Sequence, residues 1–366
     1  MSRIELERVY KQDKHSISFK LQTDLESTFY LDGPDIHDLD PDTSGLFVTH
    51  LHKDHCPQET GGVKVDYPVY MNQDTEILLK HLHVSVEDFK DIRYLLPNTK
   101  TDIEGLGQLT PISVSHSSVD ALAFFIELKS GDTILYTGDI RDGNRTSRAI
   151  ASVKKLVGSE GVTLFIGDAT NVGKQMLSLS EHEERMKSAL LYAKREKAPA
   201  AIYIKPGDYG SIAYWFEQGI LDSCDVYVTE SVMRVLGPDG LNWSNFLKSR
   251  YGYQIQTLFD PKEINPQHES VLLYDQYFDD AFRKSVAHVL INSSRNEELP
   301  YKTESLIALF PVGLSGHSQD AYFSLLEAAN PRYLTYSHAP KSNRNDFNRL
   351  NEDQLVLKKH GVTFAF

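Results

Sequence analysis

Short runs of apolar and β-branched residues recur through the first 170 positions, each bounded by Gly, Pro, Asp or Ser. Runs of this length and composition are typical of β-strands. The strands predicted in this way cover residues 17–23, 29–33, 45–50, 67–71, 109–116, 121–128, 133–139 and 163–169. Several end in a polar side chain that can carry chemistry, namely His50, His116, Asp139 and Asp168. Such side chains at several strand ends predict one site along one edge of a sheet system.

The pattern changes from about residue 176 to alternating helical and extended segments. Ser180 and Glu183 have the spacing of a capping box at the start of a helix. Apolar runs at 200–205 and 224–229 predict strands, and strands separated by helices are typical of a parallel α/β unit. The β-rich pattern returns at 306–312, 332–338 and 362–366. We therefore expect an α/β fold, with a discontinuous domain (1–175 and 305–366) interrupted by a smaller α/β domain (176–304).

Composition narrows the classes of protein that the chain can belong to. Of 366 residues, 40% are hydrophobic and 24% charged, as in ordinary globular proteins. We find no apolar run near the ~20 residues that cross a bilayer, and the charged N-terminus lacks the apolar core of a signal peptide. Two cysteines, Cys56 and Cys224, fit a reducing compartment, so we expect a cytoplasmic protein without membrane contact. The net charge of −13 argues against broad binding to polyanions but leaves a local basic groove open.

One short segment, VTHLHKDHCPQ, concentrates potential metal ligands. Alternate residues of an extended segment face the same way, so His50 and His52 can reach one ion. Asp54 and His55 follow directly and can turn toward a second. Imidazole and carboxylate groups are ligands that Zn²⁺ accepts. An exposed polar loop is the plain alternative, but four ligand-type residues in six positions after an apolar strand favour a metal site.

One motif leaves each ion with too few ligands, so further ligands are expected from other strand ends. The candidates are His116, Asp139 and His338. A carboxylate such as Asp139 can bridge two ions held ~3.5–4 Å apart. Taken singly, each of these residues is more often a hydrogen-bonded residue at a strand end. Together with the first motif they complete a two-metal set.

The segments HLHKDH, LDG with Asp32, SHSS, TGDIRDG and the late histidines resemble the metallo-β-lactamase superfamily. The resemblance implies an αββα sandwich with the site at one edge. It assigns His50, His52 and His116 to one metal ion, and Asp54, His55 and His338 to the other. It makes Asp139 the bridging ligand and Asp32 a support of the ligand loop.

A narrower resemblance covers most of the chain. LFIGDATN, with Asp168, is similar to motif A of the β-CASP nucleases, the branch that contains RNase J, and residues 180–204 resemble the start of their inserted cap domain. GLSGHSQD resembles motif B with His317, and RYLTYSH supplies motif C at His338. In that branch a histidine at motif C implies RNA substrates. The chain departs from the branch in having Ala-Pro after His338 and a shorter insert, and we expect no counterpart of the C-terminal domain of RNase J.

The resemblance implies a metal-dependent hydrolase, a phosphodiesterase or ribonuclease with two Zn²⁺ or Mn²⁺ ions and a metal-bridging hydroxide as nucleophile. Its substrate would be RNA or another phosphodiester, and a homodimer is left open. The expected catalytic residues are Asp54, His317 as proton or hydrogen-bond donor, and Asp168 as the orienting partner of a ligand histidine. Ser315 and Gly316, with His317, are expected to hold a phosphate.

Other interpretations stay open at this point. A hydrolase of a small cyclic phosphodiester, lactone or thioester would suit the short cap and the negative charge, and a non-catalytic binding protein is a third class. His317 alone can be a structural histidine, and Asp168 can cap the turn that follows it. We expect Cys56 to be a small buried hydrophobe. Three aromatic residues can stack on bases but are more often core: Tyr214, Trp215 and Trp243.

Overall fold

We analysed a computed structural model of the chain. It describes residues 5–9, 18–33, 35–57, 61–81, 84, 86–174, 176–196, 200–203, 208–221, 225–229, 248–250, 252, 255–258, 270–274, 287–290, 306–310, 317–338 and 363–365. The chain forms two compact units. The first comprises Met1–Gln175 and Gly316–Phe366, and the second comprises Met176–Ser315.

A seven-stranded mixed sheet forms one layer of the first unit. Its strands are β1 (Glu5–Arg8), β2 (Phe19–Gln22), β3 (Thr28–Leu31), β4 (Thr43–Phe47), β5 (Val69–Met71), β6 (Ile92–Tyr94) and β19 (Thr363–Ala365). The order is β19-β1-β2-β3-β4-β5-β6, antiparallel from β19 to β3 and parallel from β3 to β6. The helix α1 (Gln73–His81) connects the parallel neighbours β5 and β6.

A six-stranded mixed sheet forms the second layer. Its strands are β7 (Thr101–Ile103), β8 (Gly107–Ser113), β9 (Leu122–Leu128), β10 (Thr133–Tyr136), β11 (Leu164–Gly167) and β18 (Tyr333–Tyr336). The order is β18-β11-β10-β9-β8-β7, parallel over the first three strands and antiparallel over the rest.

Strand β9, with the sequence LAFFIEL, shows how this sheet is covered on both faces. Leu122, Phe124 and Ile126 join a cluster with Phe29 and Phe47 of the first sheet, which forms the core between the sheets. The intervening Ala123 and Phe125 join a cluster on the opposite face. Successive side chains of a strand alternate between faces, so a nearly continuous apolar run marks a strand that is buried on both. Each fully buried Leu, Ile or Phe side chain contributes ~1.5–3 kcal/mol to the stability of the fold.

Two helices, α2 (Asn144–Val157) and α5 (Gln319–Ala329), cover that opposite face. In α2, the buried positions Ala149, Val153 and Val157 recur every four residues, as one face of a helix requires. Ser318 caps the start of α5 by accepting a hydrogen bond from the N–H of Ala321. Among the described residues, no helix is both long enough and apolar enough to cross a membrane.

The second unit contains a six-stranded parallel sheet with the order β14-β13-β15-β12-β17-β16. Its strands are β12 (Ala200–Tyr203), β13 (Asp225–Thr229), β14 (Ile255–Leu258), β15 (Ser270–Tyr274), β16 (Ala287–Leu290) and β17 (Leu306–Phe310). Its described helices include α3 (Leu179–Glu196) and α4 (Tyr209–Glu217). Both units are thus of the expected α/β class.

Two local expectations require correction. The strand β17, which the sequence pattern assigned to the returning domain, pairs with β12 and β16 of the second unit. An apolar run predicts a strand but does not identify the sheet that the strand joins. The capping box of α3 is formed by Ser178 and Glu181, since the Ser178 N–H donates to the Glu181 carboxylate and the Glu181 N–H to the Ser178 hydroxyl. The predicted box residue Glu183 instead accepts a hydrogen bond from the Tyr214 hydroxyl.

Candidate metal centre

Several strands of the first unit are followed directly by polar side chains. The neighbours β3 and β4 are parallel, as are β10, β11 and β18. Strand β8 runs in the direction of β10 because both are antiparallel to β9. In each sheet, therefore, the carboxyl ends of these strands lie at a common edge. The polar residues after these ends are Asp32, His50, His116, Asp139, Asp168 and His338.

The first cluster is formed by His50, His52, His116 and Asp139. Nε2 of His50 lies 2.9 Å from Nδ1 of His52, which lies 3.1 Å from Nε2 of His116. Oδ2 of Asp139 lies 3.6 Å from Nε2 of His116. These side chains, from three separate segments, point their potential ligand atoms at a common position.

The second cluster is formed by Asp54, His55, His338 and the other oxygen of Asp139. Nε2 of His55 lies 3.3 Å from Nε2 of His338. Oδ1 of Asp139 lies 3.2 Å from His55 Nε2 and 3.1 Å from His338 Nε2. Oδ2 of Asp54 lies 3.8 Å from His55 Nε2 and 3.7 Å from His338 Nε2. The cluster joins the start and the end of the chain, since His55 and His338 are 283 residues apart.

These spacings fit a metal ion. Zinc–nitrogen bonds of ~2.0–2.1 Å in a tetrahedral arrangement place neighbouring ligand atoms ~3.4 Å apart. The five separations in the second cluster range from 3.1 to 3.8 Å. Oδ1 of Asp139 is buried and accepts no hydrogen bond from the residues that the structure describes, and a buried acceptor of this kind is costly without a partner. The donor set and this oxygen both indicate that the clusters could hold metal ions.

Asp139 is the side chain that the two clusters share, with one carboxylate oxygen facing each. Its residue is only 3% exposed. Burial opposes its ionisation, but the charges of His338 and His55 hold the pKa of Asp139 well below its usual range. Asp139 is therefore a buried carboxylate anion, able to bridge two cations.

Burial also acts on the histidines. It lowers the pKa of His50 and of His116 well below the usual value, so both rings are neutral, as metal ligation requires. Burial likewise opposes protonation of His55, but Asp139 and Asp32 raise the pKa of His55 well above the usual value. The carboxylates of Asp139 and Asp32 therefore favour positive charge at the His55 ring.

Asp32 contacts both ends of the ligand loop, which is the segment from Thr49 to His55. It is fully buried, with a positive φ of 58° that Asp adopts more readily than most residues. Its Oδ2 accepts hydrogen bonds from Nδ1 of His55 at 2.7 Å, from the Thr49 hydroxyl at 2.9 Å and from the Tyr136 hydroxyl. Its Oδ1 accepts from the Thr49 N–H at 2.7 Å. Because Tyr136 belongs to the second sheet, Asp32 also joins the two sheets below the site.

His317 lies beside both clusters. Its ring centroid is 5.5 Å from those of His116 and His338. Its Nδ1 is 2.6 Å from Oδ2 of Asp168, which is the distance of a charge-assisted hydrogen bond. That distance is too short for two ligands of one ion, so we interpret Asp168 and His317 as a hydrogen-bonded pair. Nε2 of His317 then projects from the opposite side of the ring.

The expected role of Asp168 is corrected in one respect. Its histidine partner is His317, whereas a ligand histidine was expected. Asp168 also caps its own turn, because its Oδ1 accepts from the N–H and the hydroxyl of Thr170. Oδ2 accepts a second hydrogen bond, from the Ile140 N–H. Asp168 therefore caps its turn, as one of the two interpretations from the sequence had it, and the histidine that it orients is His317 rather than a metal ligand.

The backbone around His317 is anchored by residues that the sequence pattern did not identify. The Asn171 amide donates to the His317 carbonyl at 2.9 Å. The Ser318 N–H donates to the Ile140 carbonyl at 3.0 Å, and its hydroxyl donates to Asp142. The loops after β10 and β11 therefore hold His317 at the start of α5. The only sequence signal was their position directly after Asp139 and Asp168.

Other predicted residues lie elsewhere. Ser315 and Gly316 fall in 311–316 and Trp243 in 230–247, outside the described residues. Trp215 has no exposed surface and Tyr214 only 3%, so both are core residues and do not stack on bases. Cys56 is fully buried and burial raises the pKa of its thiol, as expected for a small apolar residue.

Comparison with known proteins identifies a shared fold. No protein-family model matches the sequence, and no curated protein matches it significantly. Among solved structures, the crystal structure of a protein of unknown function from Enterococcus faecalis V583 is similar over 100% of both chains, with a TM-score of 0.66 and 12% identity. At this identity the similarity concerns the fold alone.

Proposed function

We propose that this chain is a metal-dependent hydrolase with the αββα sandwich of the metallo-β-lactamase superfamily and two Zn²⁺ or Mn²⁺ ions. The observation that carries the proposal is the convergence of ligand-type side chains in two clusters that share Asp139, at separations suited to metal ions. Hydrolysis is the chemistry that such paired sites most often support. Two bound divalent cations would lower the pKa of water and stabilise negative charge that develops in the transition state.

The residues of the chain have distinct tasks in this proposal. His50, His52 and His116 would hold the first ion, Asp54, His55 and His338 would hold the second, and Asp139 would contribute one oxygen to each. His317 is the general acid, since Asp168 engages its Nδ1 and leaves Nε2 available to give a proton to the leaving oxygen of a bound substrate. Asp168 is the positioning residue that keeps His317 in this orientation.

A phosphodiester is the proposed substrate, with RNA as the first class to test. The support is the histidine beside the clusters, in a segment that resembles motif B of the β-CASP nucleases, together with His338 at motif C. The second candidate is hydrolysis of a small molecule. The net charge of −13 favours it, because a negative surface repels long polyanions.

The test compares substrates and variants under one set of conditions. Purified protein is analysed for metal content and then incubated with 5′-phosphorylated and 5′-hydroxyl RNA oligomers, single-stranded DNA and bis-p-nitrophenyl phosphate, each with Zn²⁺ or Mn²⁺. We expect about two ions per chain and cleavage of RNA. Cleavage of the small diester alone would favour the second candidate, and turnover without bound metal would refute the proposal.

Two variants separate the metal centre from the general acid. Asp54→Ala should abolish hydrolysis without unfolding the protein, with the exposed Asp42→Ala as control. His317→Ala should retain both ions and slow phosphodiester cleavage by ~10²–10⁴, the usual contribution of a general acid. Full activity of His317→Ala would refute the assignment of His317 as the general acid, but it would not contradict the proposed metal centre.

A further inference from the structure

Thr49 lies at the junction between Asp32 and the first cluster. It is fully buried directly before His50. Its hydroxyl oxygen lies 2.9 Å from Oδ2 of Asp32 and 2.9 Å from Nδ1 of His50. The opposite nitrogen of His50, Nε2, is the potential ligand atom and lies 2.9 Å from Nδ1 of His52. The hydroxyl therefore contacts the carboxylate on one side and the back of a ligand histidine on the other.

A hydroxyl has one hydrogen, so Thr49 donates either to Asp32 or to His50, which gives two arrangements. In the first, Thr49 donates to Asp32 and accepts from Nδ1–H of His50, which leaves Nε2 without hydrogen. In the second, Thr49 donates to Nδ1 of His50, and Nε2–H donates to His52. The second arrangement places a hydrogen on the nitrogen that would bind metal.

The strengths of the bonds decide between the two arrangements. The hydrogen bond to the Asp32 carboxylate is charge-assisted, and such a bond is roughly twice as strong as one between neutral groups. Only the first arrangement keeps the charge-assisted bond. The buried Asp32 carboxylate therefore selects the His50 ring with hydrogen on Nδ1.

We propose that Thr49 is a positioning residue whose hydroxyl links Asp32 to His50. This link keeps the hydrogen of the His50 ring on Nδ1 and leaves Nε2 free of hydrogen, as metal binding requires. The inference rests on the proposed metal centre for its consequence. It concerns the first cluster only, because His55 of the second cluster contacts Asp32 directly, at 2.7 Å. The Asp32 carboxylate thus orients one histidine in each cluster. It acts on His50 of the first cluster through Thr49, and on His55 of the second cluster directly.

The first test uses metal-free protein and nitrogen NMR of the histidine rings, which distinguishes hydrogen on Nδ1 from hydrogen on Nε2. The His50 signals are assigned from their loss in His50→Gln. We expect hydrogen on Nδ1 in the wild type and in Thr49→Ser, and on Nε2 in Thr49→Val. Thr110→Val is the matched control, because Thr110 is also buried and its hydroxyl forms no hydrogen bond with any described residue. An unchanged ring in Thr49→Val would overturn the relay.

The second test is titration with Zn²⁺. Loss of a hydrogen-bond partner behind a ligand histidine commonly weakens metal affinity ~10–100-fold. Thr49→Val should show this loss for one of two ions, Thr49→Ser should restore it, and Asp32→Asn should weaken both ions. Equal affinity in Thr49→Val and the wild type would refute the relay but leave the metal centre intact. If wild-type protein binds no ion, the proposed centre fails, while the NMR result still decides the relay.

Discussion

Replacing Asp168 by Asn tests how the site residue His317 is held in place. Each oxygen of the Asp168 carboxylate accepts from one backbone N–H, of Thr170 or of Ile140, both at 3.1 Å. An Asn side chain must turn its NH₂ toward one of these N–H groups, and neither backbone group can rotate away. The variant exchanges charge-assisted hydrogen bonds of ~1.5–3 kcal/mol for neutral ones and leaves a buried donor unpaired at a cost of ~1–3 kcal/mol. We expect the free energy of unfolding to fall by ~3 kcal/mol.

Asp120→Asn is the matched control. Asp120 is also fully buried, but besides its own backbone N–H its donors are the hydroxyls of Ser118 and Thr75, one on each oxygen, which can rotate and accept from an amide. Burial raises the pKa of Asp120, so a neutral side chain is tolerated there. We expect a loss of ~1 kcal/mol or less. Equal losses in the two variants would refute the argument from backbone donors.

The assay must report the unfolding of the first unit, which contains Asp168 and Asp120. Both tryptophans, Trp215 and Trp243, belong to the second unit, so tryptophan fluorescence is unsuitable. Hydrogen exchange of peptides from β11 and β18, followed in urea with a chelator present, measures the relevant unfolding. Burial opposes ionisation of Asp168, but the charge of His317 lowers its pKa. Its contribution is therefore complete at neutral pH, and the deficit of Asp168→Asn should shrink below about pH 4. A deficit that grows on acidification would contradict this assignment.

Three further predictions concern stability and metal. Gly138→Ala adds a Cβ 2.9 Å from the Thr49 side chain at a φ of 55°, so it should cost more in thermal unfolding than Gly62→Ala. At Gly62, φ is 78° and no atom of the described residues lies within 4 Å of the added Cβ, so the two variants share only the backbone cost of ~1–2 kcal/mol. Phe47→Ala should cost ~3–5 kcal/mol in urea unfolding, because Phe47 is fully buried between the sheets and stacks on Tyr70; a loss below ~1 kcal/mol would contradict this packing. Zn²⁺ at about 100 times its dissociation constant should stabilise the protein by ~2.7 kcal/mol per site, and an unchanged melting temperature would argue against binding.

The sequence pattern predicted which side chains form the candidate site. His50, His116, Asp139 and His338 each follow an apolar run, and strand ends that share a direction meet at one edge. Local pattern therefore predicted which side chains lie together. Their separations and their division around the two oxygens of Asp139 required the structure, because they depend on contacts between distant segments.

The residues that hold the site were not predictable in the same way. Thr49, Tyr136 and Asn171 are polar residues within or beside apolar strands, and nothing local shows what a buried hydroxyl or amide contacts. The same reason applies to β17, whose apolar run predicted a strand but not its neighbours. Hydrogen-bond partners and sheet membership are set by tertiary packing, which overrides local preference.

The order of the ligands along the chain has a consequence for synthesis. The first cluster is complete once Asp139 has been made, but the second waits for His338, about 200 residues later, or ~10–40 s at ordinary rates of translation. If the first cluster binds metal as proposed, its three histidines and Asp139 would be available to an ion throughout that interval. Metal would then be able to bind before α5 is made, and metal supply would affect the folding of the nascent polypeptide.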